Sequence, residues 1–372
     1  MALIVRAVQQ QGMLARIARV AAGVVHEGPI VAMPSRHGPV RTRLFEPTRP
    51  VRRTAILVPG LHTNGIREQR LVALARELAA SGLAVLTIAP PALTRYRVTT
   101  DSTDEIEDAI TWTASRKDLA PDGRVGVMGI SFAGGLALVA AGRPAVRDKI
   151  AFVLSLGGHA DLLRVLRYLC LSGGGKLDDR ARAFAEGGEH IRIPKPNDYG
   201  SVVSLLNLAD QVVPAEQVAP LQEAITVFLE ASSIDRLDPS RAAAQFARAR
   251  QLGATLPEPG RTLMAYVNYR DVSKLGQALA PLLAHLNLPA GLSPERSPTP
   301  TAPIFLLHGA DDSVVPASEM IRLVQHLRAV SRGPMEVRAF ASRLISHAEA
   351  KPQSALAEMW HLADFWREIM EK

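Results

Sequence analysis

The chain of 372 residues contains a single cysteine, Cys170, which excludes an intramolecular disulfide framework and any cysteine-based metal site. Lysine is scarce, since 36 of the 43 basic residues are arginine. No G-x-x-x-x-G-K-[ST] loop and no H-E-x-x-H occurs, so the sequence offers no ground for a nucleotide or zinc, and no cofactor or metal is expected. Excess charge is also missing from most of the chain. Residues 1–53 hold nine Arg and two Glu, whereas 54–372 hold 34 basic and 34 acidic residues. The net charge of +7 therefore belongs to the first 53 residues and does not describe a nucleic-acid-binding body. Uninterrupted membrane-length apolar runs are lacking too. Residues 125–142 are uncharged but hold five Gly and a Ser, which reads as strand, turn and buried helix. Residues 275–294 are broken by Pro281, Pro289 and Pro294, which reads as helix, break and linker.

What is present is globular: 47% hydrophobic and 21% charged residues, at a length that suits two domains or one domain with an insertion. Residues 1–25 place apolar side chains at 3, 7, 14, 17, 21 and 24, near one helical face, with Arg6, Arg16 and Arg19. Arg16 and Arg19 interrupt any secretory apolar core, so a cytoplasmic protein is expected. The first reading of this helix is packing on the body; the second is contact with an anionic membrane surface.

From Thr54 onward, strand-like and helix-like runs alternate. Strands are expected at 54–60, 83–91, 124–131 and 150–158, with helices at 65–81, after a Ser102/Glu105 capping box, and up to Ala141. Such alternation predicts an α/β fold with a mostly parallel central sheet flanked by helices. Upstream, 30–36 and 39–47, separated by His37-Gly38, resemble a hairpin leading into it. Alternation stops near Asp161. Residues 161–301 read as mainly helical (215–231, 239–252, 272–286) and end in the linker 293–303; strands return at 303–309 and 335–341, with helices at 317–330 and 351–370. The expected organisation is an N-terminal basic segment (1–53), a core in two parts (54–160 and 302–372) and a helical cap insertion (161–301).

Gly129-Ile130-Ser131-Phe132-Ala133 falls on the predicted strand-to-helix turn. There a serine oxygen projects from the sheet at a helix N-terminus, between small neighbours that let strand and helix approach. Ala133 replaces the second glycine of G-x-S-x-G. A serine nucleophile needs a base, and the base needs an orienting acid. Asp312 lies in HGADDSVVP after an apolar strand, and His347 follows the last strand. Asp311 and Asp161 are alternative acids.

The elbow, the acid motif H-G-x-x-D-x-x-V-P and the order Ser131, Asp312, His347 resemble the α/β-hydrolase superfamily, near its dienelactone-hydrolase-like and esterase branches, over about 54–160 and 302–372. The resemblance implies a catalytic triad of Ser131, Asp312 and His347 acting on carboxylic esters, with an oxyanion hole from the backbone N–H groups of Leu61 and Phe132. Gly60, His62 and His159 are candidate substrate-binding residues. The zero net charge and Leu/Ala/Val-rich helices of the cap point to a small apolar acyl substrate. A peptidase, amidase or acyltransferase would use the same residues, and a non-catalytic binding protein on this fold is the remaining alternative.

Overall fold

Eight strands arise where the sequence is apolar and β-branched. They are β1 (Val25–Met33), β2 (Val40–Pro47), β3 (Arg53–Val58), β4 (Leu83–Ala89), β5 (Val125–Ile130), β6 (Ile150–Leu156), β7 (Ile304–Gly309) and β8 (Val337–Ser342). The computed structural model describes residues 24–48, 51, 53–171, 194–235, 237–331, 335–342 and 352–372, with side chains from 360 onward in the last segment. The strands form one sheet in the order β1-β2-β4-β3-β5-β6-β7-β8. β2 runs antiparallel to β1 and β4, and every other pair is parallel. Gly38, at φ +103, supplies the turn of the β1–β2 hairpin. β4 and β7 are buried along their whole length, as strands covered on both faces must be.

The helices after β3 and β5 lie on opposite faces. α1 (Gln69–Ala80) packs with one apolar cluster; α2 (Thr100–Ala114) and α3 (Phe132–Gly142) belong to the other. The chain therefore winds away in two directions from the neighbouring strands β3 and β5, and a crevice opens at their C-terminal ends. Between β6 and β7 come α4 (Leu162–Cys170), α5 (Asp198–Asn207), α6 (Ala209–Val212), α7 (Ala215–Ile234), α8 (Pro239–Thr255), α9 (Gly260–Asn268) and α10 (Val272–His285), with no strand among the described residues. Side chains of Asp161, Asn197, Asp238 and Asp271 cap α4, α5, α8 and α10. Their apolar faces share a continuous cluster with α2 and α3, so these helices extend the core. α11 (Ser318–Val330) and α12 (Pro352–Met370) complete the fold.

Several local expectations are corrected. α2 starts at Thr100, and Ser102 sits inside it with its hydroxyl buried; the stretch Thr99-Thr-Asp-Ser offers several possible caps, and Ser102 is not the one used. The helix expected at 272–286 is α10, which runs through Pro281 to His285. The expected helix 1–25 lies outside the described residues except for Val24 and Val25, and Val25 already begins β1. Among the described residues no helix is long and apolar enough to cross a membrane.

The hairpin is tied to α2 by Arg36, which binds Glu107 and Asp108, while Arg143 holds Asp104 and Glu107. Glu105 is left inside, 3% exposed, with one oxygen unpartnered. Burial, aided by the charges of Asp101, Asp104 and Asp108 and opposed by His37, pushes its carboxyl from 4.5 up to about 7. Between those values the folded chain keeps a proton that the unfolded chain has lost. Stability should therefore fall as pH rises from about 4.5 to 7. Urea midpoints at pH 5 and pH 8 should drop less in Glu105→Gln than in the parent chain; equal drops would contradict this role.

Candidate active site

β5 runs directly into Ser131, whose backbone at φ 56, ψ −133 lies outside the regions favoured by L-residues. The turn is pinned from both sides: Ser131 N–H donates to the Leu156 carbonyl (2.7 Å), and Gly134 N–H to the Ser131 carbonyl (2.8 Å). Close approach requires glycine at two places. A Cβ on Gly129 would lie 2.1 Å from the Ala133 carbonyl oxygen, and one on Gly134 would lie 2.5 Å from Ser155 Oγ. The Ala133 methyl is accommodated in the core, so the elbow forms without a glycine there.

Ser131 is the N-cap of α3, where the helix dipole favours negative charge. Its Oγ has no hydrogen-bond partner among the described residues, and the backbone N–H groups of Leu61 and Phe132 have no acceptor there. Gly60 brings the chain after β3 against the serine: a Cβ on it would meet Ser131 Cβ at 3.3 Å and Oγ at 4.0 Å. The Leu61 segment is held by the Tyr199 hydroxyl of α5, which donates to the Leu61 carbonyl at 3.1 Å. Ser131, Gly60, Leu61, His62 and Phe132 line one cavity of about 500 Å³, within the usual range for small-molecule sites.

Asp312 follows β7. Its Oδ1 accepts the Val314 and Val315 N–H groups at 2.8 and 3.0 Å. Its Oδ2 lies near Gly157, where a Cβ would come within 3.5 Å of it, and 3.8 Å from His308 Nε2. His308 is committed to the Val315 carbonyl at 2.7 Å. Asp312 therefore sits over the end of β6, the strand to which the Ser131 amide is bonded. Asp311 is exposed, and Asp161 is occupied as the cap of α4. The start of α5 braces this loop, since Asn197 N–H donates to the Ser313 carbonyl at 2.9 Å. His347 lies outside the described residues; its segment begins after Ser342, which pairs with Gly309 at the same end of β7.

His62 faces the cavity half-buried, with Nδ1 accepting from Asn64 N–H at 3.1 Å, and burial lowers its pKa. His159 does not line the cavity. Its ring fills the space that Gly135 leaves on α3, packs 5.9 Å from the Phe132 ring, and meets the Leu292 carbonyl at 2.8 Å. The expectation that His159 contacts substrate is thus replaced by a structural role joining α3 to the 290–292 turn. Tyr96, Tyr199 and Trp366 wall the cavity, and of these Tyr199 carried no signal in the sequence. Tyr96 is held by Asn207, which bonds the Tyr96 carbonyl (2.9 Å) and the Val98 N–H (3.0 Å). Away from the cavity, His37, Asp101 and Asp104 bring three possible metal-ligand atoms within 4.8 Å of one another. His37 already pairs with Asp104 at 2.7 Å and Asp104 with Arg143, which is an ion-pair network complete in itself.

No protein-family model and no curated protein sequence matches the chain. Among solved structures it is similar to an esterase from Pyrococcus furiosus (13% identity over 94% of this chain and 92% of that one, TM-score 0.45). It is also similar to a lipase in an open form (15%, 94% and 100%, TM-score 0.46) and to an esterase from Pyrobaculum calidifontis (14%, 92% and 79%, TM-score 0.40). On its own strand order, with β2 alone running against the rest and a serine on a strained turn between β5 and α3, the chain has the α/β-hydrolase fold.

Proposed function

We propose that the chain is a serine hydrolase of carboxylic esters. The observation that carries this reading is Ser131 itself, held at positive φ on a helix N-terminus and lining the cavity, with two amides beside it that find no acceptor among the described residues. Ser131 Oγ attacks the acyl carbon while His347 takes its proton. The carbonyl oxygen becomes an oxyanion held by the Leu61 and Phe132 N–H groups, donors of a kind whose single removal typically costs about 10²–10³ in rate. Collapse breaks the bond to the alcohol, which leaves with the proton from His347. A water, giving its proton to His347, then attacks the acyl-enzyme; the acid departs and Ser131 regains its hydrogen. Asp312 orients the imidazole and stabilises its charged form. Leu61, Leu71, Leu74, Leu156 and Leu307 supply apolar walls, which supports an apolar acyl or alcohol group.

Turnover of matched 4-nitrophenyl esters and anilides tests the reaction class, with ester cleavage expected to dominate. Asp312→Asn should lower kcat by about 10⁴-fold, because the imidazole then adopts the wrong tautomer. Unchanged turnover in that variant would remove Asp312 from the mechanism.

A further inference from the structure

The proposed oxyanion donor and the proposed acid stand on loops that the sheet does not join. Leu61 follows β3 and Asp312 follows β7, and β5 and β6 lie between, so about 14 Å of sheet separates the two strands. Pairing of β3 with β5 stops at Val58 and Gly129, short of Leu61. Beyond that point the loop bonds to itself: Gly65 N–H donates to the His62 carbonyl at 2.9 Å, and Asn64 N–H to His62 Nδ1 at 3.1 Å. A bond from outside comes from α5, whose Tyr199 hydroxyl donates to the Leu61 carbonyl at 3.1 Å. The same end of the helix holds the acid loop. Asn197, the N-cap of α5, gives its N–H to the Ser313 carbonyl at 2.9 Å and accepts the Tyr199 N–H on its side chain at 2.9 Å. At the far end Asn207 holds the Tyr96 carbonyl and the Val98 N–H. One helix thus spans the loops after β3, β4 and β7. It is itself fixed against α4: the Ser201 hydroxyl donates to the Leu169 carbonyl at 2.7 Å, and a Cβ on Gly200 would lie 2.3 Å from Leu169 Cδ2.

We infer that Tyr199 is a positioning residue for the proposed ester hydrolysis: its hydroxyl, carried on α5, holds the Leu61 amide in register with the loop of Asp312. This deepens the hydrolase reading and rests on it for the role of the Leu61 N–H. An oxyanion hole stabilises charge because its donors are already aimed when the charge develops. The carbonyl and N–H of Leu61 flank one Cα, so a bond that fixes the carbonyl limits rotation of the backbone that carries the amide. Without the hydroxyl the amide is still present, and a ground-state ester meets the same apolar walls. The loss falls on the transition state, where misplacement by about 1 Å can cost on the order of a hundredfold.

Tyr199→Phe keeps the ring that packs edge-on against Tyr96 and removes only the hydroxyl. With 4-nitrophenyl butyrate, kcat should fall about 10- to 100-fold while KM stays within about twofold. The second readout is a pair of inhibitors, hexyl trifluoromethyl ketone and hexyl methyl ketone. The first accepts Ser131 Oγ at its carbonyl carbon while His347 takes the proton, which leaves an oxyanion in the hole; the second binds as the intact ketone. The parent chain should bind the trifluoromethyl member at least about a hundredfold tighter. Tyr199→Phe should lose as much of that preference as it loses in kcat. Any unfolded fraction weakens both ketones equally and leaves their ratio alone. Ser201→Ala removes a buried hydroxyl from the same helix without touching either loop, and should keep both kcat and the preference within about twofold of the parent. A preference that survives Tyr199→Phe, or that Ser201→Ala loses to the same extent, would overturn the inference while leaving ester hydrolysis intact. A parent chain that cleaves no ester yet prefers the trifluoromethyl ketone, with the preference lost in Tyr199→Phe, would sink the ester-hydrolase reading and keep the positioning role. No cleavage and no preference in the parent would sink both.

Discussion

Ser131→Ala should lower ester turnover by about 10⁴–10⁶-fold and abolish labelling by a fluorophosphonate, because both need the serine oxygen. Labelling at the parent level would show that another residue is the nucleophile. The same position tests whether the elbow is strained. At φ 56, ψ −133 a residue with a Cβ is held in a conformation that typically costs about 1–3 kcal/mol, sustained by the bonds from Ser131 N–H to Leu156 and from Gly134 N–H to Ser131. Alanine keeps that strain. Glycine relieves it, against an unfolded-state penalty of about 0.5–1 kcal/mol. Ser131→Gly should therefore be more stable than Ser131→Ala by about 1 kcal/mol in denaturant unfolding while equally inactive. If glycine were the less stable of the two, the turn would not be storing strain.

Glu319→Ala should be among the most destabilising single substitutions, costing about 3–5 kcal/mol. The Glu319 side chain is 1% exposed and lies where the chain passes from β6 into α4. Its Oε2 accepts the Ala160 and Asp161 N–H groups, both at 3.0 Å, and its carboxylate takes Arg164 Nε at 2.5 Å and Nη2 at 3.1 Å. Arg164 also holds Glu295 at 2.9 Å, so α11, the start of α4 and the returning 294–296 turn meet on one charge cluster. Alanine would strand two backbone donors and a half-buried guanidinium. Glu319→Gln keeps the shape and one acceptor oxygen, and should lose about half as much. A loss under about 1 kcal/mol in thermal unfolding of the alanine variant would mean that the junction is solvated and does not depend on this carboxylate.

Much of this was legible in one dimension. The strands at 54–60, 83–91, 124–131 and 150–158 are apolar runs between turn residues, and they appear as β3 to β6 with ends shifted by a few residues. The serine elbow was legible because its constraint is local: a tight turn needs small residues at fixed offsets, and Gly129 and Gly134 meet that need. Long helical stretches at 215–231 and 239–252 were recognisable by their period, whereas α5 and α9 were not, being short and dependent on neighbours for burial. His159 misled because a histidine after a strand at the site edge looks the same in sequence whether it turns to solvent or into the gap over Gly135.

The sequence by itself determined the order of elements, the neutral body that follows a basic first segment, and the serine on its turn, since each depends on residues close together along the chain. Only the tertiary structure decided which acid stands over the end of β6, which histidine is core, and which side chains wall the cavity. Tyr96, in the turn after β4, and Trp366, in α12, are far apart in the chain and belong to different apolar clusters, yet both line the same cavity. Which side chains share a cavity is a property of that packing, because burial depends on every element that closes around a group and not on its neighbours in sequence.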